Sequence, residues 1–232
     1  MTPILFYGVP SGCSFGSIVA LEWLGLPYRL CRIEMPEVVS GPAYRRLNPV
    51  GETPTLLTAG GHAVSESLAI LNHLSGQALG PDGPFAPGRP AFDRQNQMLA
   101  FLNTTYFGAF APLWYAYETQ GDATSTQVLR TYGADQVAKA HAHLDMLIGK
   151  GPWLLGAERS LADAYFAGIA RWTGYHDVDG LANHPALQAL YERLRDDPAV
   201  RFAHAIERQE AAQTSGRFQG EVSLDEALAE WS

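Results

Sequence analysis

Between Gly80 and Pro90 a proline stands at every third position, Pro81, Pro84, Pro87 and Pro90, with Gly80, Gly83 and Gly88 among them. Proline has no amide proton to give a helix or a central strand, and glycine adds backbone freedom. No regular element crosses this stretch, which reads as a linker, partly extended in polyproline fashion. The chain is thereby divided into residues 1–79, a linker over 80–90, and residues 91–232 with an extra tail at 211–232. Strand patterns occur only before the linker, and everything after Ala91 reads helical. That order suggests two joined domains of different class, one α/β and one all-α.

In the first part Ile4-Leu5-Phe6-Tyr7 is a short apolar run closed by Gly8 and Pro10, hence a buried strand. Ser14 to Gly25 carries Phe15, Ile18, Val19 and Trp23 on a helical stripe and stops at Gly25. Tyr28 to Met35 reads as a second strand. Strand, helix, strand over this distance is a βαβ unit, so the two strands should run parallel. A short helical or irregular stretch around Ala43 to Leu47 follows. Thr55-Leu56-Leu57 and His62-Ala63-Val64 then flank a Gly60-Gly61 turn as a β-hairpin, and a further helix starts at Leu68. The expected sheet is mixed and four-stranded.

Charge and cysteine content exclude several classes. Sixteen basic against twenty-four acidic residues give a net charge of −8, without any gathered Lys/Arg run. Nucleic-acid and anionic-membrane binders need a basic footprint, so neither is expected as a partner. Two cysteines, Cys13 and Cys31, make no disulfide framework and no zinc spacing, and the histidines show no ligand geometry, so no metal is expected. The start MTPILFYG has no basic region or long apolar stretch of a signal peptide. Gln95 to Tyr117 carries no formal charge but holds Asn103, Thr104, Thr105 and Pro112, and reads as a buried helix rather than a membrane span. A reducing, cytoplasmic location is the expectation.

Candidate chemistry concentrates at one turn. Gly12-Cys13-Ser14-Phe15-Gly16 matches the G-x-S-x-G nucleophile elbow, which makes a serine hydrolase a competitor. That fold, however, places its elbow after several strands, and only one precedes Ser14. Cys13 or Ser14 at a helix N-terminus also faces unpaired N–H groups that stabilise an anion, and a cysteine there can fall well below its usual pKa. Thr53-Pro54 precedes the hairpin, and from the residues alone its peptide bond is expected trans. Ser65-Glu66-Ser67 reads locally as cap and first-turn residues of the following helix. Ser160-Leu161-Ala162-Asp163 is a capping box, with Asp163 satisfying helix N–H groups and doing no chemistry. Phe107, Phe110, Trp114 and Tyr117 form an aromatic stripe, either core or the lining of an apolar ligand cleft.

Four stretches together resemble the glutathione transferase superfamily: PSGCSFGSIVALEWLGLPY, NPVGETPTLL followed by HAVSESLAILNHL, SLADAYFAGIARW, and HPALQALYERLRDDPAV. The resemblance covers most of the chain from Ile4 to about Gln209. It implies a thioredoxin-like N-terminal domain, an all-helical C-terminal domain and a homodimer. It further implies that Pro54 is a cis-proline and that the Thr53 main chain pairs with glutathione's cysteinyl residue. Glu66 would take the γ-glutamyl ammonium, and Ser67 with the helix N-terminus the carboxylate. PSGCS most resembles the bacterial beta-class pattern, in which Cys13 faces the glutathione sulfur. Other classes place this duty on a serine of the turn, here Ser14 or Ser11, or on a tyrosine near the first strand, here Tyr7.

Two departures stand out. Glu52 occupies a position where relatives commonly carry Lys or Gln, beside the glycyl carboxylate unless Arg45 or Arg46 offsets it. Phe107-Gly108 replaces the beta-class His-Lys pair, implying a more apolar acceptor site. The expectation is a dimeric detoxification transferase that activates the glutathione thiolate toward a small apolar electrophile, with glutathione as co-substrate. The alternatives are a non-catalytic binding module of the same fold and, behind it, the hydrolase. Beyond the resemblance, Ser223-Leu224-Asp225-Glu226 opens a short tail helix with Leu224, Leu228 and Trp231 on one side. So short a helix must dock, expected either outside the helical domain or as a lid at the cleft mouth.

Overall fold

The run Ile4–Val9 forms β1, buried at every residue. Helix α1 (Phe15–Leu24) follows and ends at Gly25, whose left-handed φ of 61° glycine adopts without strain. Strand β2 (Pro27–Glu34) then lies parallel to β1, with Ile4 opposite Arg29 and Val9 opposite Glu34, as the βαβ pattern requires. A four-residue helix α2 (Pro42–Arg45), the hairpin β3 (Thr55–Leu57) and β4 (Ala63–Ser65), and α3 (Ser67–Leu79) complete the N-terminal part. The structure is a computed structural model describing residues 1–80, 83, 85–119, 121–178, 180–214 and 216–231. Pro81, Asp82 and Pro84 of the proline-rich linker therefore lie outside the described residues.

The second part is helical among the described residues: α4 (Pro90–Phe101), a π-helical turn Leu102–Tyr106, α5 (Phe107–Ala109), α6 (Ala111–Thr119), α7 (Ala123–Ile148), α8 (Leu161–Ala170), α9 (Trp172–His176) and α10 (Pro185–Arg195). α8 is buried along its length, and its start carries the expected capping box. Asp163 accepts from the Ser160 N–H at 2.7 Å and from Leu154 N–H at 2.8 Å. Of the aromatic stripe Phe110 is fully buried and Phe107 and Trp114 are half-buried, and all three meet the Trp172 ring. Tyr117, at its far end, is exposed. No helix among the described residues is long and apolar enough to cross a membrane.

The tail departs from expectation. The chain divides into two compact units, Met1–Asp93 with Arg195–Ser232, and Arg94–Leu194. Residues after α10 thus join the N-terminal sheet rather than the helical domain to which the sequence assigned them. α11 (Pro198–Glu207) packs on α1, and the Trp23 indole donates to the Asp197 carboxylate at 2.9 Å. β5 (Arg217–Glu221) then pairs in parallel with β2, so the sheet has five strands, not four, in the order β4-β3-β1-β2-β5. The segment entering β5 is held by Glu22, a buried carboxylate on α1. It accepts from the Tyr28 hydroxyl at 2.6 Å, the Thr214 hydroxyl at 2.7 Å and the Gly216 N–H at 2.8 Å. Finally α12 (Leu224–Trp231) lays Ala227 and Leu228 into the cluster formed by Phe6, Ile33, Tyr44 and Leu57. The apolar side of this helix, Leu224, Leu228 and Trp231, packs on the sheet of its own unit.

Candidate functional site

The turn after β1 is built for close approach. A Cβ at Gly12 would lie 2.4 Å from the Gly8 carbonyl oxygen, and one at Gly8 would lie 2.1 Å from Thr53 Oγ1. Only glycine at both positions lets the turn fold back on β1 while the loop carrying Thr53 packs alongside. Ser11 absorbs the bend with a φ of 52°. Cys13 emerges half-buried just before α1.

Three segments distant in sequence meet at its sulfur. The Cys13 thiol donates to the Thr53 carbonyl at 3.5 Å, and the Ser67 hydroxyl donates to Cys13 Sγ at 3.6 Å. Burial pushes the Cys13 thiol above its ordinary pKa; the Ser67 hydroxyl offsets this in part, while the Glu66 and Glu52 carboxylates add to it. The lowered pKa expected from the helix N-terminus is therefore corrected. Desolvation and two nearby negative charges disfavour the thiolate, and the thiol is a donor to the Thr53 carbonyl.

Two of the other candidates for the sulfur-facing role, Ser14 and Tyr7, turn away. Ser14 is fully buried, and its Oγ accepts from the Gly8 N–H at 3.0 Å, closing the turn from inside. That geometry removes it as an elbow nucleophile, which must present its hydroxyl outward, and with it the hydrolase reading. Tyr7 is also fully buried; its hydroxyl donates to Glu221 on β5 at 2.8 Å, and burial followed by that carboxylate raises its pKa. Cys31 is core, with its thiol pushed up to about 12 by burial.

Around Cys13 lie the remaining sequence candidates. The Thr53–Pro54 bond is cis, as the resemblance implied and the residues alone did not. The Thr53 N–H makes no hydrogen bond among the described residues, and its hydroxyl rests on Met35 Sδ at 3.4 Å. Glu66 takes the N-cap position of α3 with a φ of 71°, in the left-handed region that costs a non-glycine residue energy. Its side chain is exposed and caps nothing, contrary to the local reading of a helix-starting acid. Ser67 beside it is buried. Arg45 donates to the Ser40 and Pro49 carbonyls and lies over Gly51, next to Glu52.

Sequence reasoning missed the supports of this arrangement. Tyr44 and Asn48 both donate to the Glu52 carbonyl, at 2.8 and 2.7 Å. Tyr44 lay in the short stretch around Ala43 to Leu47 and Asn48 opened the stretch NPVGETPTLL, and neither position signalled this contact. Among the described residues no three His, Cys, Asp or Glu side chains gather where they could hold a metal ion.

The site therefore offers a thiol donor, an unpaired main-chain N–H, an exposed carboxylate and a buried hydroxyl at a helix start. Such a set suits a small peptide-like ligand carrying a sulfur and a free amino-acid end. Comparison with known proteins agrees. Residues 10–77 match the family model for the glutathione S-transferase N-terminal domain, and residues 109–201 that for the C-terminal domain. Glutathione S-transferase GST-4.5 of Xanthomonas campestris pv. campestris is 33% identical over 205 residues, covering 85% of this chain and 95% of that protein. Among solved structures, a glutathione-S-transferase from Xylella fastidiosa superposes with a TM-score of 0.79 at 26% identity, covering 89% of this chain and 98% of the other. A sphingomonad glutathione S-transferase complexed with glutathione gives a TM-score of 0.74 at 28% identity, covering 88% and 98%.

Proposed function

The chain belongs to the glutathione S-transferase family, and on that premise we propose that it binds glutathione beside Cys13 and transfers its thiolate to an apolar electrophile. The observation that carries the reading is the line Ser67–Cys13–Thr53, flanked by the unbonded Thr53 N–H and the exposed Glu66 carboxylate. Glutathione's cysteinyl main chain pairs with Thr53 like an added strand. Glu66 takes the γ-glutamyl ammonium, and Ser67 with the first N–H groups of α3 takes the carboxylate.

The sulfur of glutathione then lies at Cys13. A protonated thiol with a raised pKa is suited to donate to a thiolate rather than to replace it. Each unit by which such donation lowers the glutathione pKa corresponds to about 1.4 kcal/mol. The proton leaves to solvent, and the thiolate attacks the electrophilic carbon. A carbon–sulfur bond forms while the leaving group departs with its electron pair. Phe107 and Gly108, in place of a charged pair, support an apolar acceptor.

The enzyme is proposed to act as a cytoplasmic homodimer. Two free thiols fit a reducing compartment. Exposed Met146 and Leu147 border a cavity of about 630 Å³, with Met98, Phe101 and Leu154 also in its lining, a surface suited to a second copy. Retention on immobilised glutathione, together with turnover of 1-chloro-2,4-dinitrobenzene, tests the function. Failure of retention would overturn the glutathione reading; retention without turnover of any aryl halide would favour the non-catalytic binding module.

A further inference from the structure

The Glu52 carbonyl receives two buried donors, although the Glu52 side chain itself is exposed. Tyr44 supplies one. Its ring is fully buried in the apolar cluster with Ile33, Leu57 and Leu228, and meets Phe6 edge-on at 6.1 Å. Its hydroxyl donates to the Glu52 oxygen and lies 2.8 Å from Thr55 Oγ1, so it spans the loop from the residue before Thr53 to the residue after Pro54. Asn48 supplies the other donor, and its own Oδ1 accepts from the Val50 N–H at 3.1 Å.

The consequence follows from peptide planarity. The Glu52 C=O and the Thr53 N–H belong to one peptide unit and point in opposite directions across it. Two donors that hold the carbonyl inward hold the amide outward. That amide is the one without a hydrogen bond among the described residues. We propose that Tyr44, assisted by Asn48, is a positioning residue for glutathione recognition, fixing the Glu52–Thr53 peptide so that the Thr53 N–H faces the ligand's main chain. Tyr44 touches no ligand in this scheme and acts through the peptide it holds.

The inference rests on the glutathione reading above, and the test separates the two. Tyr44→Phe keeps the ring in its cluster and removes only the hydroxyl. Loss of one such bond is expected to weaken glutathione binding about five- to tenfold by calorimetry. In turnover with 1-chloro-2,4-dinitrobenzene, KM for glutathione should rise by the same factor, with kcat and KM for the electrophile unchanged. Asn48→Ser, which removes the other donor, should weaken glutathione in the same way. It serves as an independent variant should Tyr44→Phe not fold. A folded Tyr44→Phe protein with a lower melting temperature but unchanged glutathione affinity would overturn the positioning role and leave the hydroxyl purely structural. Wild-type protein that does not bind glutathione would instead overturn the functional reading, and the inference with it.

Discussion

Trp231 donates its indole N–H to the Gly61 carbonyl at 2.9 Å, pinning the last helix to the tip of a hairpin 170 positions earlier. Arg29 and Glu230 add an ion pair, and Leu228 is buried against the sheet. Leu228→Ala should therefore cost about 2–5 kcal/mol, the usual range for emptying a packed leucine site. Urea unfolding measures it. Removing residues 211–232 should lower the unfolding midpoint further, with electrophile KM unchanged; an altered electrophile KM at full stability would restore the lid.

Glu66 offers a way to separate fold from function. Its φ of 71° suits glycine, so Glu66→Gly should leave stability unchanged or raise it by about 1 kcal/mol. The same change removes the carboxylate that meets the γ-glutamyl ammonium, and glutathione affinity should fall by about 1.5–3 kcal/mol. Thermal unfolding and calorimetry on one sample read both quantities. A variant with unchanged affinity would return Glu66 to a backbone role alone.

Much of this was legible in the sequence, and the exceptions have physical causes. The βαβ unit, the hairpin and the Ser160–Asp163 cap are set by local periodicity and turn chemistry, which a sequence displays directly. β5 was not visible because Arg217–Glu221 is an edge strand of alternating exposed and half-buried residues with little apolar content. It forms because the β2 edge is open to it. Glu22 drew no notice as a local residue of α1, because it is buried against partners, Thr214 and Gly216, from the far end of the chain. At the site, Cys13 and Ser14 stood out by their place at a helix start, and the ligand-binding roles of Thr53, Glu66 and Ser67 came from the resemblance. Cys13 and Ser14 are told apart only by the folded turn, which aims Ser14 back at the Gly8 N–H and Cys13 at the Thr53 carbonyl.

Cys13 should react slowly for a cysteine at a helix start. Burial and two carboxylates raise its pKa, so the thiolate fraction at pH 7 falls below that of an ordinary thiol. Iodoacetamide labelling followed by mass spectrometry should show a rate that climbs only above about pH 8.5, the value for a free thiol. Glutathione should protect Cys13, and Cys31 should stay unlabelled until the protein unfolds. Fast labelling of Cys13 at pH 6 would contradict the raised pKa.

His176 makes the helical unit sensitive to acid. Burial, and then the Arg130 guanidinium, lower its pKa to about 4, while its Nε2 lies buried without a hydrogen-bond partner among the described residues. The unfolded chain binds a proton near pH 6.5, and the folded one only near 4, so the folded state holds fewer protons between these values. Stability is full above about pH 6.5 and declines as pH falls toward 4, by up to about 3 kcal/mol. Urea unfolding across this window should show the slope, and His176→Asn should flatten it. An unchanged slope in that variant would assign the acid sensitivity to other groups.

The parallel pairing of β5 with β2 also sets an order of assembly on the ribosome. When residues 1–93 have left the exit tunnel, the nascent chain holds four strands, an open β2 edge and an uncovered apolar face at Phe6 and Ile33. The strand and helix that close them are translated only after the whole of Arg94–Leu194. Until residues 217–231 emerge, that edge is a template for strands of other chains, the exposure that makes partly folded species prone to aggregate.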